Sequence, residues 1–122
     1  MKITGFCPQI ISKDAEEVVK VFEALGFEKN HTKTDIEGGR VTNYAMKDAN
    51  GNRIHIADSK KIPQDITTIV INVDNFKEAY DFLISKGFVN SRGDKVTETS
   101  SSTDTMLIAP SGFCVCISEH RK

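Results

Sequence analysis

The residues of this 122-residue sequence that are best suited to metal binding or catalysis are three cysteines and three histidines. Thiolates and imidazoles bind zinc and act as nucleophiles or bases, but their spacing here contains no C-x₂-C or H-x₃-H pair. The sequence also lacks a Ser-His-Asp order, a phosphate-binding glycine loop and a Rossmann fingerprint. The fold must therefore assemble any site from distant positions: Cys7, Cys114, Cys116, His31, His55 and His120.

One histidine lies in a segment with the alternation of a strand, Arg53-Ile54-His55-Ile56. In a strand, Arg53 and His55 share one face and the two isoleucines share the other. The polar pair either faces solvent or lines a partly apolar cavity, in which Arg53 would favour a carboxylate or another anionic group. His31 and His120 are expected to face solvent.

Cys114 and Cys116 are two residues apart and would share a strand face, which is a poor arrangement for a mutual disulfide. An odd number of cysteines fits free thiols in a reducing compartment, so we expect a cytoplasmic protein. The segment Met1–Phe6 has no long apolar run, which predicts no signal peptide. No segment approaches the roughly 20 apolar residues of a membrane span.

The elements that must position these residues occur twice in the sequence. Asp14 and Asn75 each begin an amphipathic helical pattern with a Glu three residues later, as in a capping box. Gly26 and Gly87 end the two helices at a position suited to the left-handed conformation. Both pairs are 61 residues apart. The apolar stripes of the helices are Val18, Val21, Phe22 and Leu25 in the first copy, and Ala79, Phe82 and Leu83 in the second.

The same offset relates two turns that contain Gly51 and Gly112. Each turn leads into a short strand, in which Ile54 aligns with Val115 and Ile56 aligns with Ile117. One constant offset across helix starts, helix ends and turns indicates a tandem duplication.

Each copy is predicted to form a β-α-β-β-β unit. We expect one domain, residues 1–122, made of unit one (1–58), a linker (59–65) and unit two (66–122). Gly38-Gly39 and Ser100-Ser101-Ser102 are predicted turns between the second and third strands of the two units. The predicted strands are 3–11, 27–35, 40–47 and 53–57, then 66–73, 88–98, 104–109 and 113–118, with helices at 14–25 and 75–86.

Composition excludes some classes of partner. A formal net charge of −1 leaves no electrostatic footprint for nucleic acid or an anionic membrane. Two units of about 60 residues bury little apolar surface each, so we expect a homodimer.

A β-α-β-β-β unit duplicated at about 60 residues resembles the glyoxalase/bleomycin-resistance/dioxygenase (vicinal oxygen chelate) superfamily. The resemblance depends on the helix openings at Asp14 and Asn75, the exits Leu25-Gly26-Phe27 and Lys86-Gly87-Phe88, and the two glycine turns. It implies an α+β fold in which two tandem units form a cleft between curved, mostly antiparallel sheets. One helix would cover each outer face.

The resemblance also implies where a divalent metal would bind. In that superfamily, His or Gln and Glu from the first and last strands hold the metal, and the matching positions here are Cys7, His55, Thr68 and Cys116. His55 and Cys116 stand at the Glu positions, and Cys7 and Thr68 stand at the His or Gln positions. None is therefore the usual residue at its position, which disfavours Mg, Mn, Fe or Ni. A zinc site of Cys7, His55 and Cys116 is the alternative, against plain lining of the cleft.

The residues expected to line the cleft follow from these positions and from their neighbours on the same strand faces. For the third strand the pattern leaves two faces open, one with Tyr44 and Met46 and one with Val41, Asn43 and Ala45. The candidate ligand-binding residues are Cys7, Gln9, Tyr44, Arg53, His55, Thr68, Cys114 and Cys116.

Three functions are consistent with these features. The favoured one is binding of a small organic molecule in the cleft without the usual metal. The first alternative is a divergent metal-dependent enzyme of the superfamily, either a glyoxalase-like lyase or a dioxygenase. The second is a structural dimer module whose cavity is filled by its own side chains.

Overall fold

The computed structural model describes residues 1–36 and 41–121, and for residues 35 and 36 it describes the backbone alone. The predicted Gly38-Gly39 turn lies outside the described residues. In this part of the chain, eight strands and two helices follow one another in the order β1 (Ile3–Ser12), α1 (Ala15–Ala24), β2 (Glu28–Ile36), β3 (Val41–Lys47), β4 (Arg53–Asp58), β5 (Ile66–Val73), α2 (Phe76–Ser85), β6 (Thr97–Glu98), β7 (Ser102–Ile108) and β8 (Cys114–His120).

The chain packs as two compact units, which we call the N-terminal unit (Cys7–Thr67) and the C-terminal unit (Met1–Phe6 with Thr68–Lys122). The first residues group with the C-terminal unit because the Lys2 amide donates to the Asp74 carboxylate at 2.6 Å and the Asp74 amide donates to the Lys2 carbonyl. The boundaries expected from the sequence, 1–58 and 66–122, stay a prediction.

The N-terminal unit has the strand order β2-β3-β4-β1. The β2–β3 and β3–β4 pairs are antiparallel, whereas β1 runs parallel to β4 with Gln9 opposite His55. The C-terminal unit repeats this arrangement as β6-β7-β8-β5. Val70 of β5 lies opposite Cys116 of β8. Both residues of the second pair lie 61 positions beyond those of the first, so the strand register confirms the tandem duplication.

In each unit one face of the sheet packs against its helix. The N-terminal core contains Ile54 and Ile56 of β4 and Met46 of β3, packed with Ala15 and Val19 of α1. The C-terminal core contains the counterparts, Val115, Ile117 and Leu107, packed with Ala79 of α2 and with Val73. The α+β class with a mixed, mostly antiparallel sheet and one helix per unit is thus confirmed.

The opposite face of each sheet is called here the helix-free face. Because side chains alternate along a strand, it is defined by the residues between the core positions. In the N-terminal unit these are Cys7, Gln9, Asn43, Ala45, Arg53, His55 and Ala57; in the C-terminal unit they are Thr68, Val70, Asn72, Asp104, Met106, Cys114, Cys116 and Ser118.

The helix ends agree with the predictions from the sequence, except at the start of α1. Gly26 and Gly87 have φ of 104° and 93°, which confirms the left-handed exits. The Asn75 side chain accepts a bond from the Glu78 amide at 3.1 Å, as predicted. Asp14 makes no such side-chain bond; instead its own amide donates to the Ser12 hydroxyl at 2.9 Å.

Part of each predicted helical stripe is wrong. Val21 and Leu25 are 56% and 67% exposed, and Phe82, the counterpart of Val21, is 50% exposed. A single helix on one sheet buries a narrow stripe, and here Val19 rather than Val21 is at its centre.

The predicted strand 88–98 is also largely wrong. Only Thr97–Glu98 is a strand, although Val89 keeps an isolated bridge to Ile108. Asn90 ends the strand because its side chain donates to the Lys95 carbonyl at 2.8 Å and accepts from the Arg92 amide at 3.0 Å. The predicted turn is confirmed at Ser100 and Ser101, since the Thr99 amide donates to the Ser102 carbonyl, but Ser102 itself begins β7.

Candidate functional site

A chain of polar side chains crosses the helix-free face of the N-terminal unit. Gln9 Nε2 donates to Asn43 Oδ1 at 3.2 Å, and Asn43 Nδ2 lies 2.9 Å from His55 Nδ1. Gln9 and Asn43 are each only 9% exposed, while His55 is half-buried. Three strands, β1, β3 and β4, thus supply one connected network. Buried amides keep such bonds because an unmade bond is unfavourable by about 1–3 kcal/mol.

The direction of this network determines which imidazole nitrogen carries the proton. Asn43 Oδ1 accepts from Gln9, so the Asn43 amide group presents its Nδ2 hydrogens to His55 Nδ1. The neutral ring then holds its proton on Nε2. His55 is therefore positioned by Asn43 as a hydrogen-bond donor through Nε2.

Cys7 and Arg53 complete the polar part of this face. Burial raises the pKa of the Cys7 thiol, and the Arg53 guanidinium opposes this shift through its positive charge. The thiol is 6% exposed. At neutral pH Cys7 is accordingly a protonated, buried thiol, whereas the exposed Arg53 supplies a permanent positive charge near it.

The C-terminal unit presents a different set of side chains at the equivalent positions. Thr68, the counterpart of Cys7, is 2% exposed and donates from Oγ1 to the Cys114 carbonyl at 2.9 Å. Cys114 and Cys116 are half-buried and occupy the positions of Arg53 and His55. This unit therefore presents two thiols where the N-terminal unit presents a guanidinium and an imidazole.

A second polar network lies beside these thiols. Asp104, the counterpart of Asn43, accepts from the Ser102 hydroxyl at 2.8 Å and from the Ser118 hydroxyl. Nearby on the same face, the buried Asn72 Oδ1 has no hydrogen-bond partner among the described residues. An unpaired buried acceptor is a position where a ligand or water group would be stabilised.

The structure brings together most, but not all, of the residues predicted from the sequence. Cys7, Gln9, Arg53 and His55 share the helix-free face of one unit, and Thr68, Cys114 and Cys116 share that of the other. Tyr44 was wrongly assigned to this face. It packs against the N-terminal core, with Lys29 above its ring at 5.4 Å from the centroid.

Asn43 is the residue missing from the predicted set. The sequence offered it on the alternative face of β3, and its pairing opposite Ala57 settles that face. His31 and His120 are exposed, as expected. Cys7, Cys114 and Cys116 form no disulfide among the described residues, as expected.

The four positions that would hold the superfamily's metal provide a poor set of ligands. They contain no carboxylate, the Thr68 hydroxyl is committed to a carbonyl, and two of the four are cysteines, which are soft ligands. In the neutral ring of His55 the proton is on Nε2 and the lone pair on Nδ1 faces Asn43. These residues do not fit a hard, octahedral divalent ion.

The zinc alternative stays a prediction. Cys7 and His55 belong to the N-terminal unit, whereas Cys116 belongs to the C-terminal unit. Across residues 1–36 and 41–121, no three His, Cys, Asp or Glu side chains form a group suited to a metal. The same part of the chain holds no helix with the length and apolar character that a membrane crossing needs.

Comparison with known proteins is informative only at the level of structure. No protein-family model matches the sequence, and no curated protein sequence is significantly similar to it. The solved structures give clear matches. A variant of methylmalonyl-CoA epimerase from Streptomyces coelicolor, in complex with 2-nitronate-propionyl-CoA, matches with a TM-score of 0.67 and 19% identity, over 99% of this chain and 100% of that chain.

Two further matches extend the group. A glyoxalase/bleomycin resistance protein/dioxygenase superfamily member from Vibrio splendidus has a TM-score of 0.61 and 14% identity, over 94% of this chain and 97% of that chain. Glyoxalase I from Zea mays has a TM-score of 0.68 and 13% identity over 97% of this chain, which spans 43% of that protein. With the duplicated units and their strand register, these matches show that the chain has the fold of the glyoxalase/bleomycin-resistance/dioxygenase superfamily.

Proposed function

We propose that this protein binds a small organic molecule on the helix-free face of its N-terminal unit, in the cleft predicted from the sequence, without the metal usual for the superfamily. The observation that carries the proposal is the Gln9–Asn43–His55 network. It aligns buried polar side chains from three strands on a face that no helix of the same unit covers. Small-molecule sites orient their ligands with a few precisely placed polar groups, and this network supplies such groups.

The chemistry of this face favours an anionic ligand. Arg53 supplies a permanent positive charge, and His55 offers a donor at Nε2. Ala45 lies directly opposite His55 across β3–β4, and Ala57 follows two residues later. Both are small side chains beside the imidazole. A carboxylate or another anionic group beside Arg53, with an acceptor oxygen near His55, would pair with both polar side chains.

The structural neighbours support the general class of function. The Streptomyces coelicolor epimerase is in complex with 2-nitronate-propionyl-CoA, so this fold can hold a small organic ligand. A homodimer, with a mass near twice 13.5 kDa, is part of the same proposal because each unit has a small core.

A ligand screen tests the proposal directly. The probes are small aromatic and aliphatic carboxylates, each paired with its neutral carboxamide, with binding followed by ligand-observed NMR. We expect carboxylates to bind and His55→Ala or Arg53→Gln to weaken each hit by about 10-fold to 100-fold, the effect of losing a bond to a charged group. The control is Lys20→Ala, because Lys20 is exposed on α1 and pairs with Glu17.

Two results would count against this assignment. One is a preference for carboxamides over carboxylates. The other is a set of hits whose affinities change in neither His55→Ala nor Arg53→Gln.

Metal analysis separates this proposal from the metal-dependent enzyme. Protein purified without chelator and then dialysed is expected to contain far less than one Mg, Mn, Fe or Ni per chain, since the equivalent positions offer no carboxylate. The measurement is elemental analysis by mass spectrometry with the dialysis buffer as blank. One equivalent of any of these ions would favour the divergent lyase or dioxygenase instead.

A further inference from the structure

Three sulfur-containing side chains lie together on the helix-free face of the C-terminal unit. Cys114 and Cys116 alternate along β8 with Val115 and Ile117, which are in the core, so both thiols point away from α2. Met106 lies directly opposite Cys116 in the antiparallel β7–β8 pair. Directly opposed side chains have Cβ atoms about 4.5–5.5 Å apart, and same-face neighbours along a strand are about 7 Å apart. The flexible Met106 side chain and the two thiols can reach one shared ion across such distances.

The backbone that carries the three sulfurs is held on both sides. β7 and β8 pair along seven positions, from Ser102 opposite His120 to Ile108 opposite Cys114. The Thr68 hydroxyl bonds the Cys114 carbonyl from the neighbouring strand. The next opposed pair on the face, Asp104 and Ser118, is joined by a hydrogen bond. The three sulfur side chains are therefore presented by a fixed sheet, not by a loop.

Their surroundings suit a bound ion. Cys114, Cys116 and Met106 are all half-buried, so they are shielded from bulk water without being sealed in the core. The N-terminal unit has Arg53, His55 and Ala45 at the same three positions, and none of these carries sulfur. The sulfur cluster is thus found in only one of the two units, and the N-terminal unit shows the same strand positions without sulfur.

We propose that Cys114, Cys116 and Met106 form a binding site for a soft monovalent metal ion, copper(I). Two thiolates and one thioether are the ligands that select copper(I) over hard divalent ions. On binding, the two thiols lose their protons to solvent, the metal keeps its oxidation state, and three Cu–S bonds form. This site is independent of the ligand proposed for the N-terminal unit, and it needs neither Cys7 nor His55.

The test uses the full-length chain and copper(I) alone, under anaerobic conditions, in competition with a chromophoric copper(I) chelator. We expect one copper(I) per chain. Cys114→Ser and Cys116→Ser should each lower the affinity at least about 100-fold, because a thiolate supplies a large share of the binding free energy. Met106→Leu should lower it about 10-fold, because a thioether is a weaker ligand.

The third cysteine provides the matched control. Cys7→Ser removes a thiol from the same chain and should leave the copper(I) affinity unchanged. A loss in Cys7→Ser as large as that in Cys116→Ser would overturn the assignment. So would an unchanged affinity in Met106→Leu, a volume-conserving variant that is expected to fold normally.

Zinc provides a further check on the class of metal. Zinc is a borderline-soft divalent ion held mostly by four ligands in a tetrahedron, whereas this cluster supplies three sulfurs, one of them an uncharged thioether. Zinc bound as tightly as copper(I), at one per chain and lost in Cys116→Ser, would contradict a site selective for a soft monovalent ion. Ligand binding at the N-terminal unit is measured separately, so failure of one proposal does not affect the other.

Discussion

Replacing Ile56 with alanine is expected to lower the free energy of unfolding by about 2–5 kcal/mol, the usual range for truncating a fully buried aliphatic side chain. Ile56 is 0% exposed and packs with Ile54, Met46 and Val19 in the N-terminal core. The loss combines the transfer free energy of the removed carbons with the cavity that rigid strand neighbours cannot fill. Urea unfolding monitored by circular dichroism measures the change.

Because the unit is duplicated, the same substitution can be made at the equivalent core position of the C-terminal unit. Ile117 is 1% exposed and occupies the same position in the C-terminal core, so Ile117→Ala should fall in the same range. Val21→Ala, on the exposed side of α1, should change stability by less than about 0.5 kcal/mol. An Ile56→Ala effect as small as that of Val21→Ala would contradict the core described here.

The repeat was predictable because its helix ends and turns depend on local chemistry. Glycines at helix exits and turns are required by positive φ, and Gly26, Gly51, Gly87 and Gly112 all adopt it. Such positions can be recognised without knowing what packs nearby. The constant spacing between them then relates the strands of one copy to those of the other, and the register agrees.

The parts that the sequence did not predict depend on tertiary contacts. Val21 and Leu25 fit a helical stripe as well as Val19 does, and only the position of α1 on its sheet decides which are buried. In the second copy, Asn90 and Gly93 replace a strand with a side-chain-stabilised turn. That turn chemistry was visible in the sequence but was outweighed by the expectation of symmetry between copies.

In the candidate site, too, some positions follow from local pattern and others depend on tertiary contacts. Arg53 and His55 were placed together by simple alternation, which the structure confirms. In β3, one face carries Tyr44 with an apolar residue and the other carries Asn43 with apolar residues. The alternation of the strand therefore could not decide whether Tyr44 or Asn43 lies on the helix-free face. The choice depends on the pairing of β3 with β4, a long-range property that no local pattern encodes.

Asn43 is consequently the residue whose role most needs a test. It accepts from Gln9 and faces His55, so it both satisfies a buried amide and orients the proposed ligand-binding imidazole. Its counterpart Asp104 bonds two serine hydroxyls instead, while Val70 stands at the position of Gln9. The C-terminal unit thus keeps an apolar side chain where the N-terminal unit keeps an amide, which shows that this position tolerates one.

Asn43→Leu is expected to destabilise the protein by about 1–3 kcal/mol, because it leaves the buried Gln9 amide without its partner. Gln9→Leu alone should have an effect of similar size through the Asn43 carbonyl oxygen. The double variant removes both amides, so its effect should be smaller than the sum of the two by about 0.5–3 kcal/mol. Urea unfolding of the four proteins gives this coupling energy, and additive effects would show that the two amides do not act as a unit. Asn43→Leu should also weaken the carboxylate hits as His55→Ala does, since the imidazole loses the group that fixes its proton on Nε2.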